Sequence, residues 1–298
     1  MVLLLRENES KYGLDLLDLR NDFVFKAFFG DKRNNKLLLD FIRAILGEQI
    51  ISVKLTSPYV EPSHANDKKS EMDLRILTDI GEQINVEMQL KGHRAFTERM
   101  LIYWAKMYGV QGKEGKSYVE LNKAIQIVIT NFNMLRKPHY QSMFQLIDPE
   151  NGALFSSHME IHVLELSKVK NLILQDATKL EKWLLFMKGD QETKEALAME
   201  SSTMKEAYSE IQRLSGDMET RKAAIAREIH LNDQIQRELD AEADGWKSGK
   251  REGKQEGIKE GKTEIVIEMY KEEFPIKTIV KLTGFTEEEI LSIVKMNI

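Results

Sequence analysis

The chain has 298 residues, 42% of them hydrophobic, a formal net charge of −5 and no cysteine. That size and apolar content allow one large domain or two smaller ones with real cores. The acidic balance provides no global basic field for coating nucleic acid, though it leaves room for a local basic cleft. Without cysteine there are no disulfides, zinc-thiolate sites, iron–sulfur clusters or cysteine nucleophiles.

The opening residues, Met1-Val-Leu-Leu-Leu-Arg6, are too few and too soon charged for a signal-peptide core, and no later run approaches a membrane span. The expectation is a soluble, cytoplasmic protein with no membrane partner. Residues 21–30 read as a short helix capped by Asn21 or Asp22 and ended by Gly30. A second helix is expected over 34–46, with Leu37, Leu38, Phe41, Ile42, Ile45 and Leu46 at helical spacing and Gly47 as its stop. Ile50 to Thr56 reads as a strand, and residues 61–70 as a polar loop. Two strands then face each other across a turn at Asp79-Ile-Gly-Glu82: Glu71 to Leu77, and Ile84 to Leu90.

Residues 94–112 predict a helix with Phe96, Met100, Tyr103, Trp104, Met107 and Tyr108 on its apolar side. Ala124 to Thr130 is nearly all apolar, the pattern of a strand buried on both faces and often parallel. His158 to Leu166 alternates and reads as a further strand. Strands mixed with a crossover helix imply an α/β fold, a mixed sheet flanked by helices.

Beyond about residue 170 strand patterns give way to charge. Residues 176–190 and 192–240 read as long helices. Gly245, Gly249, Gly253, Gly257 and Gly261 then recur in strict register between charged residues. Such a stripe lets helix backbones approach closely, but each glycine costs a helix about 1 kcal/mol relative to alanine. The segment is therefore either a helix that pairs with a second copy, giving a homodimer, or a flexible charged linker. After a further helix from Glu264 to Phe274, the chain closes with a short helix pair, 275–284 and 286–294. Thr286 and Glu289 fit a capping box in the second of these. The expected division is 1–170, a sheet-containing domain; 171–243, a charged helical region; and 244–298, the glycine segment with the terminal helices.

The chemistry of the chain gathers on one strand. Side chains alternate faces along a strand, so Asn85, Glu87 and Gln89 share the face opposite Ile84, Val86, Met88 and Leu90. A hairpin brings Asp73 to Glu87, and two adjacent carboxylates repel unless something neutralises them. One reading is a metal-dependent phosphodiesterase site. In it Asp73 and Glu87 bind Mg²⁺ or Mn²⁺, the Met88 carbonyl adds an oxygen, and Gln89 orients water or a phosphate oxygen. Gln89 is no general base, since an amide does not titrate. The other reading is an ordinary hairpin whose polar face is simply wet. None of the six histidines has metal-ligand spacing with partners, and phosphate-loop and dinucleotide signatures are absent.

In order along the chain, Asn21-Asp-Phe-Val-Phe-Lys-Ala-Phe-Phe-Gly30, Asn85-Val-Glu-Met-Gln89, the helix from Arg99 to Gln111 leading to Tyr118 and the Ile125–Ile129 strand, and the glycine register resemble the Rpn family of recombination-promoting nucleases. That family lies within the PD-(D/E)XK nuclease superfamily. The likeness covers roughly residues 15–170 well and the tail more loosely. It implies a restriction-endonuclease-like core followed by an α-helical C-terminal region, and a divalent-metal DNA endonuclease tied to recombination or mobile elements. It matches Asp73 to the metal-binding aspartate and Glu87 to the acid of the third motif. Gln89 stands where lysine is usual and loses that residue's charge beside the attacking water. Lys91, two residues on, offers a charge if the strand persists. Arg99 and Tyr103 share a helix face, and with Gln111 they are candidates for lining the cleft, Arg99 against a phosphate. The alternative places Tyr103 in the core and Arg99 in solvent. Asp22 either caps the first helix or adds a carboxylate to the site, and Lys26 is a further cleft candidate. The rival to an enzyme is a catalytically weak or inactive DNA-binding or assembly module that keeps the nuclease fold.

Overall fold

Asn21 starts the first helix, α1 (Asp22–Phe29), because its side chain accepts from the N–H groups of Phe23 and Val24. The computed structural model describes residues 15–60, 70–92, 95–112, 115, 117–170 and 174–297. The expected loop at 61–70, apart from its last residue, lies outside them. The chain divides into two units, Met1–Glu228 and Ile229–Ile298.

In the first unit α1 is followed by α2 (Asn35–Leu46), which ends at Gly47 in a backbone conformation (φ 109°) that favours glycine. The expected strand at 50–56 forms over a shorter span, β1 (Val53–Leu55). Next come β2 (Tyr59–Val60), β3 (Ser70–Glu71), β4 (Leu74–Thr78) and β5 (Gln83–Gln89). Helix α3 (Phe96–Gly109) crosses over to β6 (Ala124–Thr130), whose residues are all buried. Strands β7 (Gln141–Ile147) and β8 (Leu154–Glu165) complete the sheet. Its order is β1-β4-β5-β6-β8-β7, with β2 and β3 forming a separate pair. The β5–β6 and β6–β8 pairs are parallel and the others antiparallel. This is the mixed sheet the pattern predicts, and β6 holds the doubly buried parallel position expected of it.

Strand β7 has no counterpart among the strands that the sequence pattern predicts. It is an edge strand with Met143, Phe144, Leu146 and Ile147 exposed, so burial imposed no clean alternation for the sequence to display.

One face of the sheet carries Ile84, Val86, Met88, Ile125, Ile127, Ile129 and Leu164 into the main core. That core is closed by α1, α2 and three later helices, α4 (Lys179–Lys188), α5 (Gln191–Glu200) and α6 (Ser202–Gly216). Phe29 sits at its centre, 4.8 Å from the Phe28 ring, 5.1 Å from Phe41 and 5.6 Å from Trp183. Aromatic pairs at these separations add to the area they bury. Trp183 satisfies its indole N–H on Asp40 at 2.9 Å. Helix α3 covers the opposite face through Phe96, Met100 and Met107.

The single helix expected over 192–240 is instead α5, α6 and the start of α7 (Met218–Lys271). The breaks are local chemistry. Ser201, extended at φ −158°, caps α6 by accepting from Met204 N–H, and Asp217 accepts from Thr220 N–H at 2.9 Å. Both are polar side chains that compete with helix backbone and favour caps.

Helix α7 runs through the whole glycine register, against the flexible-linker reading, and a Cβ at any of the five glycines would meet nothing within 4 Å. In the second unit Val266 of α7 packs with Ile279 of α8 (Ile276–Thr283) and with Ile290 and Val294 of α9 (Glu287–Asn297). The expected capping box forms there. Thr286 N–H donates to Glu289 at 2.7 Å, and Glu289 N–H to the Thr286 hydroxyl at 3.3 Å.

Asn21 also donates its amide to the Ala224 carbonyl at 3.1 Å, so it ties the start of α1 to α7. Asn21→Ala is expected to lower stability by about 1–2 kcal/mol. Urea unfolding reads this directly, and a loss under ~0.5 kcal/mol would mean that packing alone sets the helix start.

Candidate active site

Strand β5 presents Asn85, Glu87 and Gln89 on one face, as alternation predicts. That face is not wet. Asn85 is 0% exposed and Glu87 2%, because α3 lies over it. The ordinary-hairpin reading therefore fails on burial.

Asp73 was expected inside a strand from 71 to 77. It lies instead at a junction, after Glu71 pairs with Tyr59 and before β4 begins at Leu74. The Met72 side chain, fully buried against α3, and its N–H bond to the Pro58 carbonyl (3.0 Å) turn the chain there. This places Asp73 one step beyond the Leu74–Val86 pair, opposite Glu87. The two residues are cross-linked through the backbone. Asp73 N–H donates to Glu87 Oε1 at 3.2 Å, and Met88 N–H donates to Asp73 Oδ2 at 2.9 Å.

Two acids held so close and so dry resist ionisation. Burial, and next the charge of Asp73, push the Glu87 carboxyl up to about 8, against the opposing bonds from Asn85 and Asp73 and the nearby Arg99. Burial also raises Asp73, although Lys26 and the Met88 N–H pull it down. The Tyr103 hydroxyl is raised as well, by burial and then by Glu87.

The surroundings of the pair come from both helical layers. Lys26 of α1 reaches Asp73 Oδ1 at 3.0 Å. Arg99 of α3 lies over the rings of Phe96 (5.4 Å) and Tyr103 (5.8 Å), half-buried. Its Nε is buried with no hydrogen-bond partner among the described residues. Gln89 lies at the end of β5 with its amide 3.5 Å from Glu87 Oε2. So Asp73, Glu87, Gln89, Arg99 and Tyr103 lie close to one another.

Other candidates do not. β5 stops at Gln89, so Lys91 lies beyond the strand and is exposed. Gln111 bonds the backbone of Asn122 at 3.0 and 2.9 Å, beside the Gln83–Ala124 end of the sheet. Four residues of strand separate that end from Glu87, about 13 Å at the usual rise. Asp22 is neither the cap residue nor a member of the acidic pair. Arg227 of α7 holds it through Nε at 2.8 and 3.0 Å. Of the histidines, His158 bonds Tyr108 at 3.0 Å and His162 bonds Glu160 at 2.7 Å. His64 and His93 lie outside the described residues.

Two supporting residues had no role assigned from sequence. Asn85 donates to Glu87 Oε1 and to Gln126 Oε1, both at 3.0 Å, and Gln126 reaches Met100 Sδ at 3.6 Å. Buried amides of this kind fix the rotamer of the acid they touch. The available signal was Gln126 itself, a lone amide in the apolar run of β6.

A family model described as PD-(D/E)XK nuclease family transposase matches residues 19–241. The chain belongs to this family. The match takes in the sheet, both helical layers, Arg227 and the whole acidic site. Searches of curated proteins and of solved structures returned no match.

Membership links the chain to nuclease-like function associated with mobile elements and suggests DNA binding. PD-(D/E)XK nucleases generally use divalent metals, and the acidic pair suits such an ion. It offers hard oxygen donors, and its mutual repulsion in a dry site is what a cation relieves. Among the described residues no three His, Asp or Glu side chains gather into one group. Asp73 and Glu87 would therefore supply two ligands, with the remainder from backbone carbonyl, water and phosphate, a common pattern for Mg²⁺. No helix among the described residues is long and apolar enough to cross a membrane.

Proposed function

We propose that the protein is a divalent-metal-dependent DNA endonuclease acting in recombination or in the movement of mobile elements. The observation that carries this reading is the buried Asp73–Glu87 pair, cross-linked through the backbone, on a sheet of this family. One ammonium, Lys26, stands against the two acids, and burying two carboxyls side by side with a single counter-charge is costly for a fold, whereas a metal site has a use for it.

Asp73 and Glu87 would hold Mg²⁺ or Mn²⁺, which when bound polarises the scissile phosphate and acidifies a water. The chain's own residues do the rest. Asn85 and the Asp73 N–H fix the Glu87 carboxylate, and the Met88 N–H fixes Asp73. Gln89 orients water or a phosphate oxygen by hydrogen bonding. Arg99, with hydrogen-bonding capacity unspent, takes a phosphate oxygen, and Tyr103 shields the acids from bulk water. The proposed partners are DNA and, through the open glycine face of α7, a second copy of the chain. A cytoplasmic location completes the proposal.

Gln89 favours a second reading, a weak or inactive DNA-binding or assembly module, since glutamine carries no charge. Incubating the purified protein with supercoiled plasmid, with and without Mg²⁺ or Mn²⁺, separates the two. The expected result is nicking that appears with the metal and vanishes with a chelator. Absence of cleavage under every metal and DNA form, with DNA binding retained, would establish the second reading.

A further inference from the structure

Glutamine at position 89 deprives the end of β5 of an ammonium, and the fold delivers one from a different element. Lys26 Nζ stands 3.0 Å from Asp73 Oδ1. The Lys26 side chain is 34% exposed and that of Asp73 only 9%, so the ammonium sits at the mouth of a buried carboxylate.

Its direction is set by the packing of α1. Phe25, Phe28 and Phe29 are fully buried and fix the rotation of the helix. One turn before Lys26 lies Asp22, the natural partner for a lysine at that helical spacing. Arg227 already covers Asp22, while Lys26 reaches Asp73. The other nearby cations are worse placed. Arg99 arrives from α3 on the opposite face with its guanidinium over two rings, and Lys91 lies past the end of the strand. A lysine also suits a mobile role, being a compact charge on a flexible stem.

We propose that Lys26 is the working positive charge of this site, doing from α1 what a lysine at position 89 would do from β5. In the metal-free protein it neutralises Asp73. With the acidic pair metal-loaded it leaves Oδ1 and offers its N–H donors to the phosphate oxygen on which charge develops. The inference rests on the nuclease reading, and it makes a demand that a merely structural lysine would not. The Met88 N–H occupies one oxygen of Asp73 and Lys26 the other, so Lys26 competes with a divalent cation for the ligand.

The test compares wild type, Lys26→Met, Lys26→Gln and the double variant Lys26→Met/Gln89→Lys. Mn²⁺ binding is followed by calorimetry and plasmid cleavage in parallel. Both single variants are expected to bind Mn²⁺ at least as tightly as wild type and to cleave about a hundredfold more slowly. Gln89→Lys in the Lys26→Met background is expected to recover at least about tenfold. If Lys26 only props up Asp73, Mn²⁺ binding weakens with cleavage and Gln89→Lys rescues nothing, and either result overturns the proposal. Wild-type cleavage rates in both single variants overturn it while leaving the nuclease reading intact. A wild-type protein that cuts no DNA overturns both.

Discussion

Asp73→Asn is expected to slow metal-dependent plasmid cleavage by about a thousandfold or more, and Glu87→Gln by a similar factor. Asparagine keeps the shape of the side chain and an oxygen that can still accept the Met88 N–H bond, so the fold has little to lose. What disappears is the negative charge that a divalent cation needs and that Lys26 pairs with. Glu87→Gln likewise leaves an acceptor for Asn85 and the Asp73 N–H. The measurement is single-turnover cleavage of plasmid alongside the melting curve of each variant. Cleavage within about tenfold of wild type by a well-folded Asp73→Asn protein would remove this residue from the chemistry and the acidic pair with it.

The second large effect is on stability. Glu87 ionises at about 8 in the folded protein against an ordinary 4.5. Below 4.5 both folded and unfolded chains hold the proton, and the group exacts nothing. As pH rises from there toward 8, the unfolded chain releases its proton while the folded chain keeps it, so stability falls through that window and levels off above it. The metal-free protein is therefore expected to be less stable at pH 8 than at pH 5.5 by several kcal/mol on this account. Mn²⁺ reverses the loss at pH 8 and has little effect at pH 5.5, where the proton competes for the same oxygens. Differential scanning fluorimetry at the two pH values, with and without Mn²⁺, reads both effects. Glu87→Gln isolates the group from every other titrating side chain. If this variant shows the same pH slope and the same Mn²⁺ shift as wild type, Glu87 is not their source.

The acidic pair was legible in the sequence because a strand has a period of two. Once β5 was read, Glu87 and Gln89 had to share a face, and the turn at Gly81 set the hairpin that brings Asp73 across. Whether that face was wet or dry was not legible, since it depends on α3 folding back over it, a contact between segments that sequence alternation does not encode. Arg227 was illegible for a related reason. Its partner Asp22 lies 205 residues away, and a lone arginine in a charged helix looks solvated. Gln111 misled because the sequence pattern runs the helix of Arg99 on to residue 112, but α3 ends at Gly109 and Gln111 lies in the turn beyond it, at the Gln83–Ala124 end of the sheet. The helical breaks at Ser201 and Asp217 were visible as cap residues. The charge pattern runs on through them and masks the breaks.

The clasp of Arg227 on Asp22 has a bearing on how the protein comes into being. A ribosome delivers the chain from its N-terminus, so α1 and the strands of the sheet emerge well before α4, α6 and the start of α7. A nascent chain long enough to pair every strand still lacks Trp183, which packs on Phe29 and Phe41. It also lacks the guanidinium that keeps Asp22 occupied beside Lys26. Until residue 227 has been made, Asp22 stands one turn from Lys26 without that guanidinium. The order of synthesis thus completes the charge around Asp22 only near the end of the first unit, after every strand of the sheet has been made.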